Sequence, residues 1–214
     1  MQNKIFGNQT LKLEGVKSLP LWRGIHALLS MIVAWLLIAE LIARTSLGYS
    51  LPPPSVGVDS FELDTKLYYL EQSIRQNGPL DCLILGDSMT NNGIDPRVLE
   101  EAYRAETGSS IHCFNFGIPA LFLDGSGPLA EALVNRFHPR LLIVPLSVRD
   151  FEPSLKFPIR DAARSAWGRQ NLGEQSLRGW AVNSLYGYRY LISLRYWLTP
   201  SNREKLSSTW HSMT

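Results

Sequence analysis

Cysteine, histidine and charge are all scarce in this chain of 214 residues. Its two cysteines, Cys82 and Cys113, form no CxxC pair and have no histidines at metal-ligand spacing. A disulfide framework and a structural zinc site are therefore both excluded. Each cysteine lies in an apolar run expected to be one of two neighbouring strands. That leaves two buried thiols acting as small hydrophobes, or a single disulfide. Charged residues make up 19% of the chain and the net charge is +2, so no polyanionic partner is selected and no nucleic acid is expected. No glycine-rich phosphate loop or cluster of metal-ligating side chains is present, so no cofactor and no metal is inferred. Internal repeats and low-complexity tracts are also lacking. An apolar content of 45% is enough for a packed core.

The charge that exists is unevenly placed. Residues 1–47 hold five basic and two acidic residues, 48–150 seven and thirteen, and 151–214 nine and four. An acidic middle and a basic, aromatic tail imply two different surfaces. Residues 25–43 form one long apolar run, close to the ~20 residues that cross a membrane. Glu40 and Arg44 lie one helical turn apart at its end, placed to pair near the interface. Lys4, Lys12, Lys17 and Arg23 precede the run. By the positive-inside tendency they stay cytoplasmic and the rest is exported. The expectation is a single-pass anchor over residues 25–47 that meets membrane lipid, after a cytoplasmic segment 1–24. A cleaved signal peptide fits less well, because the polar lead-in is long and no small-x-small site follows. A buried core helix is the third reading.

Proline and glycine then mark a semi-rigid spacer over 48–58 (Pro52, Pro53, Pro54, Gly57). Asp59 to Gln76 reads as an amphipathic helix with Leu63, Leu67, Leu70 and Ile74 near helical spacing. Three short apolar runs follow: Leu80–Leu85, Ile111–Phe116 and Leu141–Leu146. Between them come a helix opened by Asp95-Pro96 and one opened by Gly127-Pro128. Continuous apolar strands alternating with helices indicate an α/β domain, over 59–151, with a buried parallel sheet. Residues 151–176 read as polar loop. Residues 180–198 are rich in aromatic residues, and Arg189 and Arg195 argue against a second span. The 152–214 tail is expected to be helical, lying on the membrane, on a missing part of the domain or on the domain's own sheet.

In such a sheet reactive groups collect at the carboxyl ends of strands. Three polar clusters fall there: Gly86-Asp87-Ser88, Asn115-Phe116-Gly117 and Ser147-Val148-Arg149-Asp150. A serine exposed by a tight glycine turn, with nearby backbone N–H groups to hold an oxyanion, suits acyl transfer.

Leu85-Gly86-Asp87-Ser88 resembles the first block of the SGNH (GDSL-type) hydrolases, with Ser88 at the nucleophile position. Asn115-x-Gly117, its glycine 29 residues later, resembles the second block. The Ser147–Asp150 cluster falls where the third block, Gly-x-Asn-Asp, belongs, with Arg149 in place of the family's asparagine. The resemblance covers about residues 59–151. It implies a three-layer, flavodoxin-like sheet and a serine esterase or acyltransferase acting on an acyl ester, with an envelope polysaccharide as acceptor or substrate. Ser88 would attack, and the N–H groups of Ser88 and Gly117 would hold the oxyanion. Asn115, Arg149 and Asp150 would line the substrate site. Arg149 sets a positive charge by the oxyanion, binds an anionic substrate group, or forms a surface ion pair with Asp150 or Glu152. The family's final block, Asp-x-x-His, has no counterpart; His211, in Ser208-Thr209-Trp210-His211, is the nearest substitute for the base. With only three strands legible, the domain reads as incomplete, cut before that last block. The rival expectation is a short, non-catalytic pseudo-hydrolase that binds an envelope glycan or an assembly partner.

Overall fold

The computed structural model describes residues 21–45, 53–58, 60–121, 123–151 and 162–197, with the backbone alone for residues 21, 123, 124, 149, 151 and 195–197. The chain divides into two compact units, Met1–Ala39 and Glu40–Thr214.

The described residues of the first unit, 21–39, all lie in helix α1 (Leu21–Ala43), whose side chains from Trp22 to Ala39 are all exposed. Its Trp22–Ala43 stretch of 22 residues is long and apolar enough to cross a membrane, by length and composition. At 1.5 Å per residue it spans about 33 Å, against a hydrocarbon core of about 30 Å. The helix starts four residues before the expected anchor and stops short of residue 47.

The second unit is built on a mixed α/β pattern. Helix α2 (Phe61–Asn77) starts where Ser60 Oγ accepts the N–H of Leu63, and Gly78 closes it. Strand β1 (Cys82–Gly86) leads into the short helix α3 (Ser88–Gly93) and then helix α4 (Pro96–Thr107), capped by the Asp95 carboxylate. Strand β2 (Cys113–Gly117) is followed by helix α5 (Leu123–Phe137) and strand β3 (Leu141–Ile143). A 3-10 turn spans Val148–Phe151. The proline expected to open α5 lies inside it, because the helix begins at Leu123. β3 is half the length expected from its apolar run.

The three strands are parallel in the order β2-β1-β3, with Cys82 opposite both Cys113 and Leu141. β1 is central and fully buried. Its alternation sorts the core. Leu83 and Leu85 face a large cluster with Leu63, Leu67 and Leu70 of α2, Phe116, and Leu129 and Leu133 of α5. Cys82 and Ile84 face a smaller one with Cys113, Ile94, Leu99 and Ile143. The two cysteines are free, buried thiols.

Several residues of 162–197 join the large cluster. Where a polar loop is expected, helix α6 (Ala166–Asn171) buries Trp167. Helix α7 (Leu177–Ser184) contributes Val182, and helix α8 (Tyr186–Trp197) packs Tyr188 and Ile192 on the same core. The domain's own core is thus what these tail helices cover. Two charge clusters fasten α8. Arg189, 1% exposed, meets Glu71 of α2 at 2.7 Å and donates to the Pro54 carbonyl at 3.3 Å. Glu40 pairs with Arg44 at 2.7 Å, as the spacing foretells, and its carboxylate also accepts the N–H groups of Tyr186 and Gly187 at the start of α8.

Candidate functional site

The chain runs from β1 to β2 on one side and then returns past β1 to β3 on the other. The order therefore reverses at β1, and a crevice forms between the carboxyl ends of β1 and β3. It is a cleft of about 210 Å³ lined by Asp87, Met89, Thr90, Gly93, Ile94, Pro145, Leu146 and Ser147. A narrower recess beside it adds Gly86, Ser126 and Asp150.

Two glycines allow this end of the sheet to close. A Cβ on Gly86 would lie 2.0 Å from Thr90 Oγ1, so only glycine lets α3 fold back over the strand end. A Cβ on Gly117 would lie 2.4 Å from the backbone N of Asn91, so only glycine lets β2 abut α3. The two motifs picked from the sequence are therefore in direct contact.

Ser88 is the first residue of α3 and is half-buried. Its hydroxyl forms no hydrogen bond among the described residues, and its N–H belongs to the first turn, whose donors lack helical partners. Asp87 is committed to the fold: its carboxylate caps α3 through the N–H groups of Met89 at 2.8 Å and Thr90 at 3.3 Å. The cleft lining includes both chain neighbours of Ser88 but not Ser88 itself. Ser88 shares its helix face with Asn91, three residues on.

Asn115 is a clamp. Its Nδ2 donates to the carbonyls of Thr90 at 2.8 Å and Ile94 at 2.7 Å, tying β2 to the middle and the C-cap of α3. Its Oδ1 accepts the Gly117 N–H at 2.8 Å. That bond occupies the very donor expected to hold an oxyanion. Asp150 likewise stabilises its own turn by accepting the Ser147 N–H. The backbone of Arg149 lies in that turn, and its side chain is outside the described residues.

No imidazole reaches Ser88 among the described residues. The His112 ring, before the amino end of β2, is held by Ser73 Oγ at 2.8 Å and by the carbonyls of Gly78 and Pro79. His138 precedes β3, also at the amino end of the sheet. His211 lies outside the described residues.

Among the described side chains, a basic nitrogen at this end comes from a residue that the sequence pattern did not single out. Lys66 of α2 donates from Nζ to Asn91 Oδ1 at 2.6 Å and to the Asn115 carbonyl at 3.1 Å. It is half-buried, no carboxylate pairs with it among the described residues, and burial pushes its pKa below the ordinary lysine value. A signal was available. Lys66 lies at i+3 from Leu63 and i−4 from Leu70, on the apolar face of α2, where a lysine has no packing reason to be. Compared with known proteins, the chain matches no family model, no curated protein and no solved structure.

Proposed function

We propose that this is an SGNH-like serine esterase or acyltransferase, held by α1 in a membrane with its α/β domain on the extracytoplasmic side. Ser88 would be the nucleophile, the sheet the core of a three-layer fold of that type, and an acyl ester of an envelope polysaccharide the substrate class. The observation that carries the reading is the position of Ser88. Its hydroxyl has no partner among the described residues, it follows the carboxyl end of the central strand, and Asn91 of the same short helix abuts Gly117 of the neighbouring strand. Attack by its oxygen on an ester carbonyl would give an acyl-enzyme, released to water or to an acceptor hydroxyl.

The test is labelling of the full-length protein in a membrane fraction by a fluorophosphonate probe. Covalent label on wild type, absent from Ser88→Ala, is the expected result. Unlabelled, folded wild type would remove the enzyme reading.

A second reading, a non-catalytic domain that binds envelope glycan or an assembly partner, is favoured by one specific observation. The Gly117 N–H that would hold an oxyanion is already bound to Asn115 Oδ1. The same labelling experiment separates the two.

A further inference from the structure

Lys66 ties α2 to α3 and β2 by two hydrogen bonds, yet its half-buried ammonium has no carboxylate partner among the described residues. Partial withdrawal of an ammonium from water is costly where no carboxylate among the described residues pairs with it, and the neighbours of Lys66 on the same face, Leu63 and Leu70, are fully buried and apolar. Its contacts are two neutral oxygens, Asn91 Oδ1 and the Asn115 carbonyl, and both belong to the segments that frame Ser88. Asn91 is one helical turn after Ser88 on one face of α3, so their Cβ atoms are about 5–6 Å apart. Ser88 is absent from the β1–β3 cleft lining, and Lys66 bonds the side chain of Asn91, one helical turn from Ser88. The two acceptors use two of the three N–H positions of the ammonium.

We propose that Lys66 is the proton acceptor for Ser88, a serine–lysine pair standing where serine–histidine would be expected. The proposal rests on the reading of Ser88 as a nucleophile. For the transfer, Nζ would exchange its bond to the Asn115 carbonyl for one to Ser88 Oγ by rotation about the terminal bonds of the Lys66 side chain. In the neutral amine form, its lone pair takes the hydroxyl proton as the Oγ–C bond to the ester carbonyl forms, and the carbonyl π pair moves to oxygen. When the tetrahedral adduct collapses, the ester C–O bond breaks and the new Nζ–H proton goes to the departing alkoxide. Water or an acceptor hydroxyl then repeats the sequence in reverse order. Burial lowers the pKa of the amine and so raises the fraction of the neutral form at neutral pH.

The experiment measures the rate of fluorophosphonate labelling of the full chain in detergent across pH, for wild type, Lys66→Arg and Lys66→Met. Urea midpoints serve as the check on folding. Arginine keeps a charge and hydrogen-bond donors but cannot accept the proton. The expected result is a wild-type rate that rises with pH and levels off below the ordinary lysine value of about 10.4. Both variants should be slower on the order of 100-fold or more and lose that inflection. If Lys66→Arg labels as fast as wild type, the role is positional and the proposal is overturned. An inflection near the ordinary histidine value of about 6.5 would also overturn it, by assigning the proton to an imidazole. Should the variants not fold, the wild-type profile decides alone by where it inflects. Wild type that takes no label at any pH overturns the Ser88 reading and this proposal together, whereas labelled wild type with an unaffected Lys66→Arg overturns this proposal only.

Discussion

Replacing Glu71 by glutamine should cost this domain about 3–5 kcal/mol, the loss expected when one partner of a buried ion pair is removed and the other stays charged. The setting is specific. Arg189 is 1% exposed, and the Glu71 side chain 11%. Arg189 Nη1 donates to both carboxylate oxygens, at 3.0 and 2.7 Å, the Tyr186 hydroxyl donates to the same carboxylate, and the Tyr186 ring lies 5.0 Å from the guanidinium. Arg189 Nε has no partner among the described residues, where the hydrogen bonds of the guanidinium go to Glu71 and to the Pro54 carbonyl. Burial works against its charge, while Glu71 and Tyr186 favour it strongly enough that its pKa stays above the ordinary arginine value. Glutamine conserves the volume but removes the charge and turns one acceptor oxygen into a donor. At about 2–4 °C per kcal/mol for a chain of this size, the melting temperature should fall by about 6–20 °C. Urea unfolding of the full chain in detergent, followed by the fluorescence of the buried Trp167, measures the loss. The double variant Glu71→Leu with Arg189→Met should recover most of it, because a well-packed apolar pair avoids the desolvation cost altogether. A loss below about 1 kcal/mol for Glu71→Gln, the range of exposed pairs, would refute the desolvated pair and with it the tight docking of α8 on α2.

Three further outcomes are expected. Gly117→Ala should lower stability by about 1–3 kcal/mol through overpacking against the Asn91 backbone, and should reduce probe labelling of Ser88 as α3 shifts; an unchanged unfolding curve would show that the strand end and α3 are not in contact. Burial raises the thiol pKa values of both Cys82 and Cys113, so the native state keeps protons that the unfolded chain releases above about pH 8.5. Their contribution is therefore complete below that pH and declines as pH rises. Cys82→Ala with Cys113→Ala should flatten the fall in stability between about pH 8.5 and 10, and an unaltered slope would refute it. A reporter fused after Thr214 should be active only outside the cytoplasm, and cytoplasmic activity would remove the export reading.

Local signals were enough for much of the fold. Ser60 and Asp95 cap α2 and α4 because a short side-chain oxygen beside a helix start finds free N–H groups, and that is written in adjacent residues. The central strand is an unbroken apolar run because both of its faces are covered. Glu40 and Arg44 pair because residues four apart share a helix face. The tail was harder to read. Trp167 is buried in a segment whose composition looks like loop, since its partners are far away in sequence. β3 ends at Ile143 although the apolar run continues to Leu146, as strand length depends on a neighbour that offers hydrogen bonds and not on hydropathy.

The site divides in the same way. Sequence alone set Ser88, Gly117 and the Ser147–Asp150 turn at successive strand ends, because strand–turn–helix order follows from local pattern. Tertiary structure alone decided which groups those residues meet. It turned Asn115 into a clamp that consumes the Gly117 N–H, kept His112 and His138 at the opposite end of the sheet, and brought Lys66 to Asn91 from a helix that precedes β1. Hydrogen-bond partners separated by 25 or 49 residues carry no local trace, because the chain distance between them is closed only by packing of the apolar faces beneath.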